Sequence, residues 1–282
     1  MTTPHPRSLN PDPRRLEPLA RYGPWAVITG ASDGIGQALA RQLAAAGFHL
    51  LLVARSAEGL ERVADTLRGR HGVDCRTLPC DLSQADAVAK VAAATVGLDV
   101  GLLVAAAGFG TAGAFLDSDI GTELSMIDVN CRAVVELTHL FGRRFADRGH
   151  GGIILMSSLV AFQGVPRAAN YAATKAFIQT LAEGIRPEFK PFGVDVLAVA
   201  PGPIRSGFAR RAKMTMGLSE APEVVARQAL TRLGRATTVR PGLLSKLLEY
   251  SLAPLPRRGR SRIMALVMAG MTRTRPAATG RA

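Results

Sequence analysis

With 282 residues, 48 % of them hydrophobic, the chain suffices for one large α/β domain or two small ones and is too apolar to be disordered. Its formal charge of +13 sits at one end: residues 205–282 hold 16 of the 35 Lys and Arg residues but only Glu220, Glu223 and Glu249 of the 22 acidic ones. Aromatic residues are too few, at 5 %, to form a base-stacking surface for single-stranded nucleic acid, and no window approaches the ~18–20 apolar residues that span a bilayer.

Residues 1–23 carry Pro4, Pro6, Pro11, Pro13 and Pro18 and lack an apolar core. They are expected to form an extended arm and not a signal peptide. From Pro24 onward, short apolar runs alternate with helical periods. The pattern predicts strands at 25–29, 48–54, 73–79, 100–105, 151–156 and 193–199. It predicts helices at 34–46, 57–70, 83–96, 119–148 and 169–190, then a further helix at 221–234 and an extended piece near Thr237-Thr238-Val239. Strands followed by helices imply right-handed crossovers and a parallel sheet covered on both faces. Runs such as Leu50-Leu51-Leu52-Val53-Ala54 have the continuous apolar character of strands buried on both sides. The expected fold class is therefore α/β, a single Rossmann-type doubly wound sheet over residues 24–240 with a basic, apolar-helical extension over 241–282. Three cysteines without a CxxC argue against a disulfide framework and fit a reducing cytoplasm. The five histidines have no metal-ligand spacing, so no metal site is expected.

The stretch Thr29-Gly30-Ala31-Ser32-Asp33-Gly34-Ile35-Gly36 follows the first strand and opens the first helix. Such a strand–glycine turn–helix unit brings bare N–H groups and a helix N-terminus to a pyrophosphate. Arg55 ends the second strand, where an acidic residue suits a ribose 2′-hydroxyl and an arginine a 2′-phosphate; it points to NADP(H) over NAD(H), or else is a surface arginine. Asp81, beside Leu82, is placed to accept from an adenine amino group or to cap the next helix. Ala107 and Gly108 end the fourth strand and let backbone lie beside a cofactor. Tyr171 and Lys175 share one helix face, Ser158 follows a strand at the sheet edge where ligands bind, and Asn130 lies within the predicted helix 119–148.

In order and spacing from about residue 24 to 206, these positions resemble the short-chain dehydrogenase/reductase family. The matching positions are the glycine turn, Asp81, Asn130, Ser158, Tyr171-x-x-x-Lys175 and Pro201-Gly202-Pro203-Ile204-Arg205-Ser206. The last resembles the family's turn beside the nicotinamide, which makes Pro201, Gly202, Ile204 and Ser206 cofactor-binding candidates. Tyr22-Gly23-Pro24-Trp25, with Asp33, is similar to the branch that reduces 3-ketoacyl thioesters and 17-ketosteroids. The resemblance implies interconversion of a ketone and a secondary alcohol on a lipophilic small molecule. Tyr171 then serves as general acid, Ser158 as donor to the carbonyl oxygen, and Lys175 as ligand of the nicotinamide ribose. Asn130 holds a water that links Lys175 to solvent. A neighbouring ammonium favours phenolate, so Lys175 is expected to lower the Tyr171 pKa. Homodimers or homotetramers paired through the long helices are also implied. Ala105 and Ala106 depart from the family's usual paired asparagines.

Residues 204–218 correspond to the family's substrate lid, where Phe208, Met214, Met216 and Leu218 offer apolar contact and Arg210, Arg211 and Lys213 positive charge. In the tail, Ile263, Met264, Leu266, Val267, Met268 and Met271 are flanked by Arg257, Arg258, Arg260, Arg262, Arg273 and Arg275. Peripheral membrane contact through residues 257–275, a cap on the pocket and packing against another subunit all fit that composition. A non-catalytic NADP(H)-binding redox sensor is the alternative function, weighed down by the presence of both Tyr171 and Lys175. Nucleic acid as a partner has no motif in its favour.

Overall fold

A computed structural model describes residues 17–212, 219–242 and 255–271. Its strands are β1 (Trp25–Thr29), β2 (His49–Ala54), β3 (Cys75–Pro79), β4 (Val100–Ala105), β5 (Gly151–Met156), β6 (Val194–Val199) and β7 (Thr238–Val239). The helices are α1 (Gly34–Ala45), α2 (Ala57–His71), α3 (Ala87–Ala94), α4 (Ile120–Ile127), α5 (Ala133–Arg148), α6 (Ala169–Phe189), α7 (Gly207–Arg211), α8 (Pro222–Arg232) and α9 (Arg257–Met271). The sheet is wholly parallel with strand order β3-β2-β1-β4-β5-β6-β7. Strand order reverses between β1 and β4, the switch point of a doubly wound Rossmann-type sheet. The extended piece near Thr237 becomes a short edge strand, with Ala198 opposite Thr238 and Val199 opposite Val239.

Both faces of the sheet are buried, as the apolar runs require. Along β1, Ala26 and Ile28 enter one core and Trp25 and Val27 the other, the period of two that a pleated strand imposes. The first core is closed by α1, α2 and α8 through Leu39, Leu43, Leu60, Leu67, Val225 and Leu230. The second is closed by α3, α5 and α6 through Val91, Leu137, Phe141, Phe145 and Ile178. Each fully buried side chain of this size contributes about 1.5–3 kcal/mol of transfer free energy. A third, small cluster stands apart from the sheet: Val165, Ala168 and Ala172 against Met264 and Met268 of α9.

Three elements differ from the sequence expectation. Residues 17–22, expected in the extended arm, form a 3-10 helix whose Leu19 and Tyr22 are buried in the first core. The Tyr22 hydroxyl donates to Asp195 Oδ2 (2.6 Å) and Arg21 pairs with the same carboxylate, a partner far along the chain that pins the segment under the sheet. The helix expected from residue 83 starts at Ala87. Asp81 Oδ1 accepts from Ser83 N (3.0 Å) and Ser83 Oγ (2.9 Å), and that local turn consumes the first residues. The single helix expected over 119–148 is interrupted by a π-helical turn at Asp128–Arg132, between α4 and α5. The remainder of the arm and the apolar segment Leu243–Leu252 lie outside the described residues, as do Lys213, Met214, Met216, Leu218, Arg273 and Arg275.

Candidate active site

Because all seven strands are parallel, their C-terminal ends share one edge, and a cavity of about 400 Å³ lies along it. It is walled by the segments that leave the strands. The turn after β1 contributes Gly30, Ser32, Asp33, Gly34, Ile35 and Gly36, and Arg55 follows β2. Asp81 and Leu82 follow β3, and Ala107 and Gly108 follow β4. Ser158 follows β5, Pro201, Gly202, Ile204 and Ser206 follow β6, and α6 supplies Tyr171 and Lys175. One cavity thus gathers nearly every site residue expected from the sequence. Thr29 and Asn130 are outside its wall and act behind it.

Local chemistry explains the shape of the turn. Gly30 has φ +68°, and a Cβ there would stand 2.9 Å from the Ala107 backbone. Thr29 Oγ1 accepts from Ala107 N (3.0 Å), tying the ends of β1 and β4 together at the level where Ala105 and Ala106 replace asparagines. Asp33 begins α1: its Oδ1 accepts from Gly34 N (2.7 Å), and its Oδ2 accepts from Gly207 N (2.9 Å) at the start of α7. The Arg211 guanidinium is 3.9 Å from the same oxygen. Asp81 serves the local turn described above and also faces the cavity; it does not cap α3, whose N-cap is Asp86.

The other end of the cavity is built on α6 and the π turn. Lys175, 6 % exposed, donates from Nζ to Met156 O (2.9 Å) at the end of β5. Its ammonium is 5.7 Å from the centre of the Tyr171 ring. Burial pushes the Lys175 ammonium down to about 8. Burial pushes the Tyr171 phenol up to about 12, opposed by its hydrogen bond with Ser158. The expected lowering of Tyr171 by Lys175 is therefore not what the polypeptide alone produces: desolvation of the phenolate outweighs it. Ser158 Oγ accepts from Val160 N at 3.4 Å.

Asn130, buried in the π turn, accepts on Oδ1 from Phe109 N (3.1 Å) and donates from Nδ2 to Phe109 O (2.9 Å) and Thr174 Oγ1 (3.0 Å). A methyl group on Gly108 would stand 3.0 Å from Asn130 Oδ1 and 3.3 Å from Lys175 Nζ, so both groups converge above that residue. A π turn often marks a functional position; here it carries the amide that grips the strand-end loop.

Sequence reasoning missed a second peg on that loop. Glu123 of α4 is 4 % exposed. Its Oε1 accepts from Thr111 Oγ1 (2.8 Å) and its Oε2 from Asn170 Nδ2 (2.7 Å), and Asn170 Nδ2 also reaches the Glu123 carbonyl (3.0 Å). It thereby joins the loop after β4 to the residue immediately before Tyr171. Between the two pegs lies Gly110, where a Cβ would be 2.9 Å from both the Tyr171 and Phe208 rings. Only the three-dimensional neighbours reveal these roles, since Glu123 by itself reads as an ordinary helix carboxylate.

The apolar side of the cavity comes from Phe109, Leu159, Val160, Phe208, Met264, Val267 and Met268. Phe208 stacks against Tyr171 with ring centres 5.3 Å apart. Of the three readings of the tail, a cap on the pocket is the one seen in this chain: Met264 and Met268 of α9 face inward. Among the described residues no helix is long and apolar enough to cross a membrane.

The cavity has what a dinucleotide needs: a glycine turn that tolerates no Cβ, a helix N-terminus beside it, and cations at Arg55 and Lys175. A family model described as short chain dehydrogenase matches residues 24–216. The chain is 32 % identical over 230 residues to a 7beta-hydroxysteroid dehydrogenase of Clostridium sardiniense, covering 80 % of this chain and 88 % of that protein. It is 31 % identical over 219 residues to the very-long-chain 3-oxoacyl-CoA reductase-B of Danio rerio, covering 76 % and 70 %. A short-chain dehydrogenase from Sphingobium yanoikuyae, solved in complex with NADPH, superimposes with a TM-score of 0.76 at 28 % identity over 92 % of this chain and 99 % of the other.

Proposed function

The chain belongs to the short-chain dehydrogenase family of oxidoreductases, and we propose that it interconverts a ketone and a secondary alcohol on a lipophilic substrate, with NADP(H) preferred over NAD(H). The observation that carries this reading is the convergence of Ser158, Tyr171 and Lys175 in the cavity that the glycine turn opens. NADPH supplies the hydride that reaches the carbonyl carbon. Tyr171 gives its proton to the carbonyl oxygen; a phenol held up near 12 keeps that proton across the neutral range. Ser158 donates to the oxygen as negative charge grows on it. Lys175, held by Met156 O, would hold the coenzyme's ribose hydroxyls and assist Tyr171 in the reverse direction, where phenolate is required. Asn130 holds the loop that carries Phe109 and stands beside Lys175 above Gly108.

Arg55, exposed on the cavity rim, supports NADP(H): a guanidinium suits a 2′-phosphate, and one structural relative was solved with NADPH. The apolar wall supports a lipophilic substrate, as do two relatives whose names specify a hydroxysteroid and a very-long-chain 3-oxoacyl-CoA. Exposed Leu124, Val135 and Phe177 on α4, α5 and α6 support a homodimer or homotetramer, read by light scattering. The outer face of α9, with Leu266 76 % exposed beside Arg258 and Arg262, supports peripheral contact with anionic membranes. Failure of the full chain to float with anionic vesicles would remove that contact.

The direct test is NADPH oxidation over ketosteroids, acyl thioesters and small ketones. Wild type turns over, Tyr171→Phe loses at least 100-fold, and Arg55→Asp shifts preference toward NADH. Unchanged reduction by Tyr171→Phe overturns the mechanism, and equal affinity of wild type for both coenzymes overturns the role of Arg55. Tight NADPH binding with no turnover on any carbonyl favours the redox-sensor reading.

A further inference from the structure

We propose that Met264 and Met268 of α9 form the wall that sets how large a ketone the site accepts, and that the substrate carries a bulky apolar body. This deepens the reading above and rests on it.

The argument begins with what α9 packs against. Its buried residues are Met264 and Met268, at 4 % and 3 % exposure, four apart and therefore on one face. Their apolar partners are Val165, Ala168 and Ala172, with Tyr171, Val160 and Ala112 at the edge of the cluster. None of these belongs to the two cores that hold the sheet. The inner face of α9 is thus seated on the segment that enters α6 and on the first turn of that helix, around the phenol itself. The same methionines, with Val267, line the cavity that contains Ser158, Tyr171 and Lys175.

The helix also lies beyond residues 24–216, which the family model matches. The glycine turn and the Ser158–Tyr171–Lys175 group fix the chemistry, whereas α9 fixes the space left beside it. The methionines pack on alanines, Ala168 and Ala172, so the side chains that project furthest into the cavity at this wall are the methionines, beside Ala168. Methionine is unbranched, with three rotatable bonds and a polarizable sulfur. Such a wall yields to a large apolar body by changing rotamer and still covers it. A small ketone leaves most of this surface without a partner.

The experiment uses the full chain and two probes, 2-butanone and the bicyclic ketone 2-decalone, under saturating NADPH. The readout is the ratio of kcat/KM for 2-decalone to that for 2-butanone. Wild type favours 2-decalone. Met268→Trp narrows the space and lowers the ratio about 10-fold or more, within the range that pocket volume confers. Met264→Ala widens it and raises the ratio about threefold or more. Opposite signs are the signature of a size filter; a helix merely loosened by mutation moves both variants the same way. Met264→Phe is the second narrowing variant should Met268→Trp fail to fold. The same ratio is measured in binding, as the affinity of the NADP⁺-saturated protein for the alcohols 2-decalol and 2-butanol. Selective binding that follows the same two signs without turnover upholds the wall and overturns the reductase reading. Ratios that do not change, or that change in one direction only, overturn the wall and leave the reductase reading standing.

Discussion

Replacing Lys175 by methionine, which keeps most of the unbranched side chain and removes the charged end, is expected to make the protein more stable and nearly inactive. Burial lowers the ammonium from 10.5 to about 8; at about 1.4 kcal/mol per pH unit, the folded protein carries about 3 kcal/mol of unfavourable charge burial at pH 7. The variant relieves that cost and forfeits the bond to Met156 O, worth about 1.5–3 kcal/mol for a charged donor. The net gain is about 0–1.5 kcal/mol, or up to about 6 °C in Tm for a chain of this size. The pH dependence fixes the sign. Below pH 8 the lysine is protonated in both states and the penalty is full. Between about 8 and 10.5 the unfolded chain binds more protons than the folded one, so wild type gains stability as pH rises. The advantage of Lys175→Met is therefore largest at pH 7, narrows above pH 8 and is gone by about pH 10. Urea unfolding of both proteins at pH 7 and pH 10, with NADPH-dependent reduction assayed in parallel, measures it. A variant less stable than wild type at pH 7, or a difference that stays constant between the two pH values, would refute the reasoning.

Two further outcomes follow from the hydrogen bonds around the site. In Glu123→Leu the Thr111 hydroxyl and the Asn170 amide lose the carboxylate oxygens they now meet; the lost pairing costs about 1–3 kcal/mol. Thermal unfolding should show the drop, and kcat should fall by more than KM for NADPH rises, because Asn170 precedes Tyr171. Gly30→Ala forces a side chain into left-handed backbone at about 1–2 kcal/mol and against Ala107. Fluorescence titration should show weaker NADPH binding together with a lower Tm, and unaltered binding would exclude the turn as the cradle.

What the sequence makes legible here depends on how far away the deciding partner sits. The strands were readable because burial on both faces leaves uninterrupted apolar runs, as in Leu50–Val53. The Ser158, Tyr171 and Lys175 positions were readable because strand ends and helix spacing dictate who faces whom. The π turn was not, since the apolar pattern of 119–148 runs through Asp128–Arg132 without a break and the extra residue is fixed by Asn130 gripping Phe109. Nor was the burial of Tyr22, whose partner Asp195 lies on β6. The direction of the Tyr171 shift escaped for a different reason: the proximity of an ammonium is visible in a helix, but the loss of water around both groups is not. The composition of α9 fits a membrane surface as well as a pocket or a subunit interface, and its inward face shows only in the packing against Ala168 and Ala172.

The two oxygens of Asp33 reach to opposite parties: one holds Gly34 at the start of α1, the other Gly207 at the start of α7. The next residue, Phe208, lies on the Tyr171 ring. A ligand that moves the turn moves the carboxylate, and through it the ring that packs beside Tyr171. Coenzyme and ketone joined in this way are not independent guests. Whatever factor the first imposes on the affinity of the second, the second must return to the first.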